Sequence, residues 1–221
     1  SPLREGGSLP AIVHTDDNQS FVMNFHGAGQ GPKALIAEVL GGEIARQLEF
    51  LVPDMALVDL DPAIGKSEGD PEIQDLLMAS SGTNFGLRFI EHAHTFQRSA
   101  AESIEPEFAS RLVWLDAFIT NVDRTPRNAN ILVQTSNIWL IDHGAAFTFH
   151  HSWGDVNKQA ESTFPLIRDH ILLTAASELD AVNNWCISKL GEDFFTEIAN
   201  KLPDAWLVKD TPFASAEENR H

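Results

Sequence analysis

Asp123, Asn128 and Asp142 are the residues whose types and spacing could do chemistry together. The first two lie in Asn121-Val122-Asp123-Arg124-Thr125-Pro126-Arg127-Asn128-Ala129-Asn130, and Asp142 follows Asn128 by 14 residues in Leu140-Ile141-Asp142-His143-Gly144. A loop carboxylate can accept a hydroxyl proton and orient the attacking oxygen. An Asn five residues on can turn back to hold Mg2+, and a second Asp can hold that metal against nucleotide phosphates. Phosphoryl transfer needs mainly such positioning and charge neutralisation. Alone, Asp-x-x-x-x-Asn is a common pattern, because Asp and Asn favour Asx-turns and caps. Here a helix precedes it, a short hairpin follows it, and an Asp-x-Gly ends the hairpin, which favours the chemical reading.

Those elements are legible as periodicities. Glu107–Thr120 reads as a helix with Phe108, Leu112, Leu115 and Phe118–Ile119 along one side. Ile131–Gln134 and Ile138–Ile141 flank Thr135-Ser136-Asn137 and read as a hairpin. Upstream, Ala11–His14 and Phe21–Phe25 form a second hairpin around a polar turn. Lys33–Phe50 is helical, weakened by Gly41-Gly42. Met55–Leu60 and Phe85–Ile90 are strand candidates, and Asp61–Asp75 reads as a loop ending in at most a short helix. Downstream, Pro165–Leu173, Glu178–Leu190 and Glu192–Leu202 read as helices, and the polar tail beyond Pro212 as frayed. The expected architecture is α+β in two lobes: residues 1–96, β-rich with one helix, and residues 97–221, helical. A cleft between such lobes is a common place for a ligand.

Composition narrows the partners. The 221 residues carry 15 Lys and Arg against 32 Asp and Glu, a formal charge of −17. So acidic a chain lacks the cationic face that nucleic acid or an anionic membrane requires, and neither is expected as a partner. With 43% apolar residues it is globular rather than disordered. One cysteine, Cys186, excludes an internal disulfide and reads as a buried thiol. No leader-like or membrane-length apolar run is seen, so the reading is soluble and cytoplasmic.

The run "LDAFITNVDRTPRNANIL" followed by "IWLIDHGAAF" resembles the catalytic loop and metal-binding segment of HipA-like kinases. These are bacterial enzymes with a protein-kinase-like fold related to the phosphatidylinositol 3-kinase group. The resemblance implies an ATP-dependent, Mg2+-requiring phosphotransferase acting on a hydroxyl acceptor, a protein Ser/Thr or a small molecule. It makes Asp123 the base, Asn128 and Asp142 the metal ligands, and Gly144 the flexible residue of the Asp-x-Gly element. It places a phosphate-covering turn at Arg4-Glu5-Gly6-Gly7-Ser8. Glu38 would pair with a nucleotide-binding lysine, and Glu91-His92-Ala93 would link the lobes where adenine binds.

One position departs from that pattern. The family's second-strand lysine stands in an apolar-apolar-Lys-Phe context, which here is Val22-Met23-Asn24-Phe25. Asn24 carries no charge and is several atoms shorter. The chain could therefore be a pseudokinase acting as a binding module, a kinase served by another lysine such as Lys33, or an inactivated variant.

Other signals carry less. Gly27-Ala28-Gly29-Gln30-Gly31-Pro32-Lys33 lacks Gly-Lys-Ser/Thr and reads as a mobile strand-to-helix connection. His92, His94 and His150 could hold zinc for a hydrolase, although no His-Glu-x-x-His is present. His150-His151-Ser152-Trp153 could shape an acceptor site or form a turn. Arg124 and Arg127 could steady phosphate or pair with carboxylates such as Asp116. Ser8, Ser80 and Ser81 lack the context of a nucleophile elbow.

Overall fold

The structure is a computed structural model describing residues 10–29, 31–151, 156–208, 211 and 213–220. The fold is α+β, with two antiparallel sheets. It divides into two compact units. One comprises Ser1–Ile36, Pro53–Glu91 and Leu202–His221; the other comprises Ala37–Val52 and His92–Lys201. Helix α1 (Pro32–Gln47) contributes to both. Among the described residues, no helix is long and apolar enough to cross a membrane.

The first unit is built on a four-stranded sheet of β1 (Ala11–His14), β2 (Ser20–Asn24), β3 (Met55–Leu60) and β4 (Gly82–Arg88). The strand order is β1-β2-β4-β3, with Val22 opposite Leu87 and Leu57 opposite Phe85. Alternation on β2 puts Met23 inward, where it packs with Phe25, Leu60, Val13, Val58, Leu76 and Leu77.

The loop expected over Asp61–Asp75, with a short helix at its end, holds two helices: α2 (Pro62–Lys66), unexpected, at its start and α3 (Pro71–Ala79) at that end. Asp61 accepts the Ala63 N–H, Asp70 accepts those of Glu72 and Ile73, and each Asp is followed by a proline in the first turn. An Asp cap before proline is a start signal that outweighed the polar composition.

Near the C-terminus lie helices α8 (Asp204–Leu207) and α9 (Ala216–Arg220), and α9 falls beyond Pro212, where a frayed end was expected. The Trp206 indole donates to Thr83 O at 2.9 Å, and the Arg220 guanidinium holds Leu202 O at 2.8 Å and the Asp204 carboxylate.

The second unit packs around α4 (Pro106–Phe118). Leu112, Leu115 and Ile119 are buried as the spacing predicts, but Phe118 is 47% exposed and stacks on Trp114. The buried arc centres on Asp116, and Phe118, two residues on, lies about 200° around the helix. The same unit holds a three-stranded sheet of β5 (His94–Thr95), β6 (Ile131–Gln134) and β7 (Asn137–Leu140). Gln134 pairs with Asn137, so the hairpin turns on two residues, with Thr135 at a left-handed φ of 57°.

After β7 the chain runs through a short helix α5 (Val156–Ala160) and then α6 (Leu179–Lys189) and α7 (Glu192–Asn200). The helix expected over Pro165–Leu173 is two 3-10 turns, Pro165–Asp169 and Leu173–Ala175. His170 interrupts it with extended backbone and turns its ring inward. Cys186 is buried on α6, and burial pushes its thiol up.

Candidate active site

The loop after α4 is organised by a buried carboxylate. Asn121 donates from its backbone to Asp116 O at 2.8 Å and from Nδ2 to Asp116 Oδ1 at 3.0 Å. Asn121 Oδ1 in turn accepts the Asp123 N–H at 3.1 Å, which sets the backbone of the proposed base. The Arg124 Nε donates to Asp116 Oδ2 at 2.6 Å, with both side chains fully buried. His170 Nδ1 accepts the Leu172 N–H, so the ring proton sits on Nε2 and is donated to Asp116 Oδ2 at 2.9 Å. Burial alone would raise the Asp116 pKa. The Arg124 charge and the His170 hydrogen bond outweigh it and hold the carboxyl well below its usual range.

Arg124 therefore serves the structure rather than a phosphate. Its guanidinium also reaches the carbonyl oxygens of Asn130 and Ile141, tying the loop to the end of β7. Arg127 is exposed.

Asp123 is half-buried. Its Oδ2 accepts from Asn128 Nδ2 at 2.8 Å and, more distantly, from Asn130 Nδ2 at 3.4 Å. Burial and the charge of Asp142 push its carboxyl up, against the pull of both amides and Arg124. A more basic carboxylate is better suited to accept a proton. Asn128 reaches Asp123 because Thr125 and Asn128 exchange backbone hydrogen bonds of 2.9 and 3.1 Å across a tight turn.

The second carboxylate emerges just after β7. Asp142 is exposed, with a left-handed φ of 53° that Asp tolerates better than most residues. Behind it, Glu38 on α1 is buried and accepts the His143 N–H at 2.8 Å. Burial and the Asp142 charge drive the Glu38 carboxyl well above its usual range. His143 is buried as well; burial and the Arg124 charge lower its ring to about 3, so it is neutral. The approach is possible because position 41 is glycine: a Cβ there would stand 2.7 Å from His143 Cβ. Gly41, one of the two glycines that weaken α1 on paper, is what admits His143.

The structure thus gathers Glu38, Asp123, Asn128 and Asp142 in one unit. Asn24 belongs to the other, on β2 opposite Phe85 of β4, and Lys33 is the second residue of α1. Glu91 and His92 form an exposed turn after β4, His92 with a φ of 59°, and Ala93 is half-buried. Gly6, Gly7 and Ser8, with the rest of the expected phosphate-covering turn, lie outside the described residues, as do Ser152 and Trp153.

At the start of the glycine-rich connection, Gly27 donates to Ser80 Oγ at 3.2 Å and packs against the Ala79 backbone. Among the described residues no three His, Cys, Asp or Glu side chains form a metal-binding cluster, and His92, His94 and His150 do not converge. Sequence reasoning missed Asn130, Asn121 and His170; the repeated Asn at 128 and 130 was the one available signal.

An α+β fold with this carboxylate-bearing loop and segment suits a kinase-type phosphotransferase. The family model of HipA-like kinases matches residues 1–220, and the chain belongs to that family. No curated protein matches it.

Proposed function

We propose that this protein transfers the γ-phosphoryl group of ATP to a hydroxyl, on a protein Ser or Thr, with Mg2+ as cofactor. The observation that carries the reading is the hydrogen bond between Asn128 Nδ2 and Asp123 Oδ2, on a loop whose charge meets that of Asp142. With Nδ2 engaged, Asn128 offers Oδ1 to a cation, and Asp142 offers an exposed carboxylate. One amide and one carboxylate are a hard-oxygen set that fits Mg2+, which keeps several waters. When bound, Mg2+ neutralises charge on the phosphate oxygens. Asp123 accepts the acceptor's hydroxyl proton at its carboxylate, with Asn128 fixing that group's orientation. Glu38 holds the backbone of the Asp142 segment instead of serving only as a lysine's partner.

Asn24 supports a second reading, a binding module with impaired catalysis. The deciding experiment measures Mg2+–ATP binding and ATP turnover in the chain and in Asn24→Lys. The kinase reading expects the lysine to raise both, and Asp123→Ala in that background to lower turnover by about 10²–10⁴-fold. A gain in binding without turnover favours the module. If neither form binds nucleotide with Mg2+ present, the kinase reading is wrong.

A further inference from the structure

Asn130 is buried, 6% exposed, and holds a left-handed φ of 49°. Asn adopts that conformation at little cost. Its backbone is clamped: the carbonyl accepts the Ile141 N–H at 3.1 Å and an N–H of the Arg124 guanidinium. Arg124 is itself anchored on Asp116. The Asn130 side chain therefore leaves a fixed base. Its Nδ2 lies 3.4 Å from Asp123 Oδ2 and 3.4 Å from Asp142 O. Two amide protons face two acceptors, one on each half of the site.

Asn128, the nearer partner of Asp123, is exposed and is also the proposed metal ligand. It cannot by itself fix Asp123 independently of what it ligates. A buried amide with a clamped backbone can, and long contacts of this kind tighten when a site is loaded.

We infer that Asn130 is a positioning residue that locks the Asp123 carboxylate against the backbone of Asp142, holding base and metal segment in register. The inference rests on the kinase reading above. A base misplaced by about 1 Å can cost a hundredfold in rate.

Two variants test it. Asn130→Gly keeps the left-handed backbone and removes the amide. Asn130→Asp keeps the shape and replaces the donor with an acceptor facing Asp123. Side-chain scalar couplings by NMR report the Asp123 χ1 rotamer without any nucleotide. Turnover and the KM for ATP are measured in the parent and Asn24→Lys backgrounds.

The expected result is one Asp123 rotamer in the parent and averaging in Asn130→Gly. Turnover should fall about 10–100-fold with KM within twofold, and further in Asn130→Asp. An unchanged rotamer or unchanged turnover in Asn130→Gly overturns the proposal. So does a rate loss matched in both variants by a large fall in melting temperature, which would mean general loosening. Absence of nucleotide binding and turnover in both backgrounds sinks the kinase reading, and with it any catalytic role for Asn130. The rotamer measurement still reports the contact, so the two failures are distinguishable.

Discussion

The His143 backbone N–H donates to Glu38 Oε2 at 2.8 Å, joining residues 105 apart in the chain. Family resemblance reserves that acidic residue for a lysine, and position 24 holds Asn instead. In this protein Glu38 carries the backbone of the Asp142-His143-Gly144 segment, so its loss should be felt whether or not a lysine is present.

Glu38→Ala strands the buried N–H of His143. An unpaired buried donor costs about 1–3 kcal/mol. Glu38→Gln keeps an accepting oxygen and should stay within about 1 kcal/mol of the parent. Urea unfolding separates the two, and hydrogen exchange at the His143 amide should accelerate only in the alanine variant. Equal midpoints would contradict the assigned role.

Gly41→Ala sets two effects against each other. Alanine favours a helix interior by about 1 kcal/mol over glycine. Its Cβ would stand 2.7 Å from His143 Cβ and 3.1 Å from Cγ, and overpacking costs about 1–3 kcal/mol. Destabilisation should win. His143→Gly in the same chain should restore the ordinary gain, and a double-mutant cycle reads the coupling directly.

His143 should make the protein acid-sensitive at mild pH. Its folded pKa of about 3 lies below its ordinary value, so the unfolded chain binds a proton that the folded chain refuses. Stability is full above about pH 6.5 and falls as pH drops toward 3, by at most about 1.4 kcal/mol per pH unit from this group. The Nε2 atom is buried without a partner among the described residues, so His143→Phe loses no hydrogen bond there. Denaturation followed against pH should show a shallower slope in that variant; an identical slope would refute the assignment.

The Asp116–Arg124 pair predicts a lower window. The Asp116 pKa is depressed on folding, so its contribution is complete above the unfolded value of about 3.9 and is lost as pH falls toward the folded value. Asp116→Asn leaves Arg124 buried without its counter-charge, at about 3–5 kcal/mol. It should lower stability at pH 7 and remove the part of the acid slope below pH 4. Stability unchanged at pH 7 would show that the ion pair does not anchor the loop.

Local chemistry accounts for what was readable. Alternation and helical spacing placed both hairpins, α1, α4, α6 and α7, because those elements bury one face each. The Asp-Pro starts of α2 and α3 were readable as caps but were hidden by a composition typical of loops. The 3-10 turns around His170 were not readable, since what breaks the helix is a contact with Asp116, 54 residues away.

The candidate site divides along the same line. By itself, the sequence determined the acidic charge, the order of the two hairpins with α1, α4, α6 and α7, the Asp123–Asn128–Asp142 spacing and the missing lysine at position 24, because composition and short-range pattern are properties of the chain. Only the tertiary structure decided that Glu38 holds His143, that Gly41 makes room for it, that Arg124 is spent on Asp116, and that Asn130 faces both halves of the site. Each depends on groups brought together from distant positions, where burial sets which polar atoms must find partners.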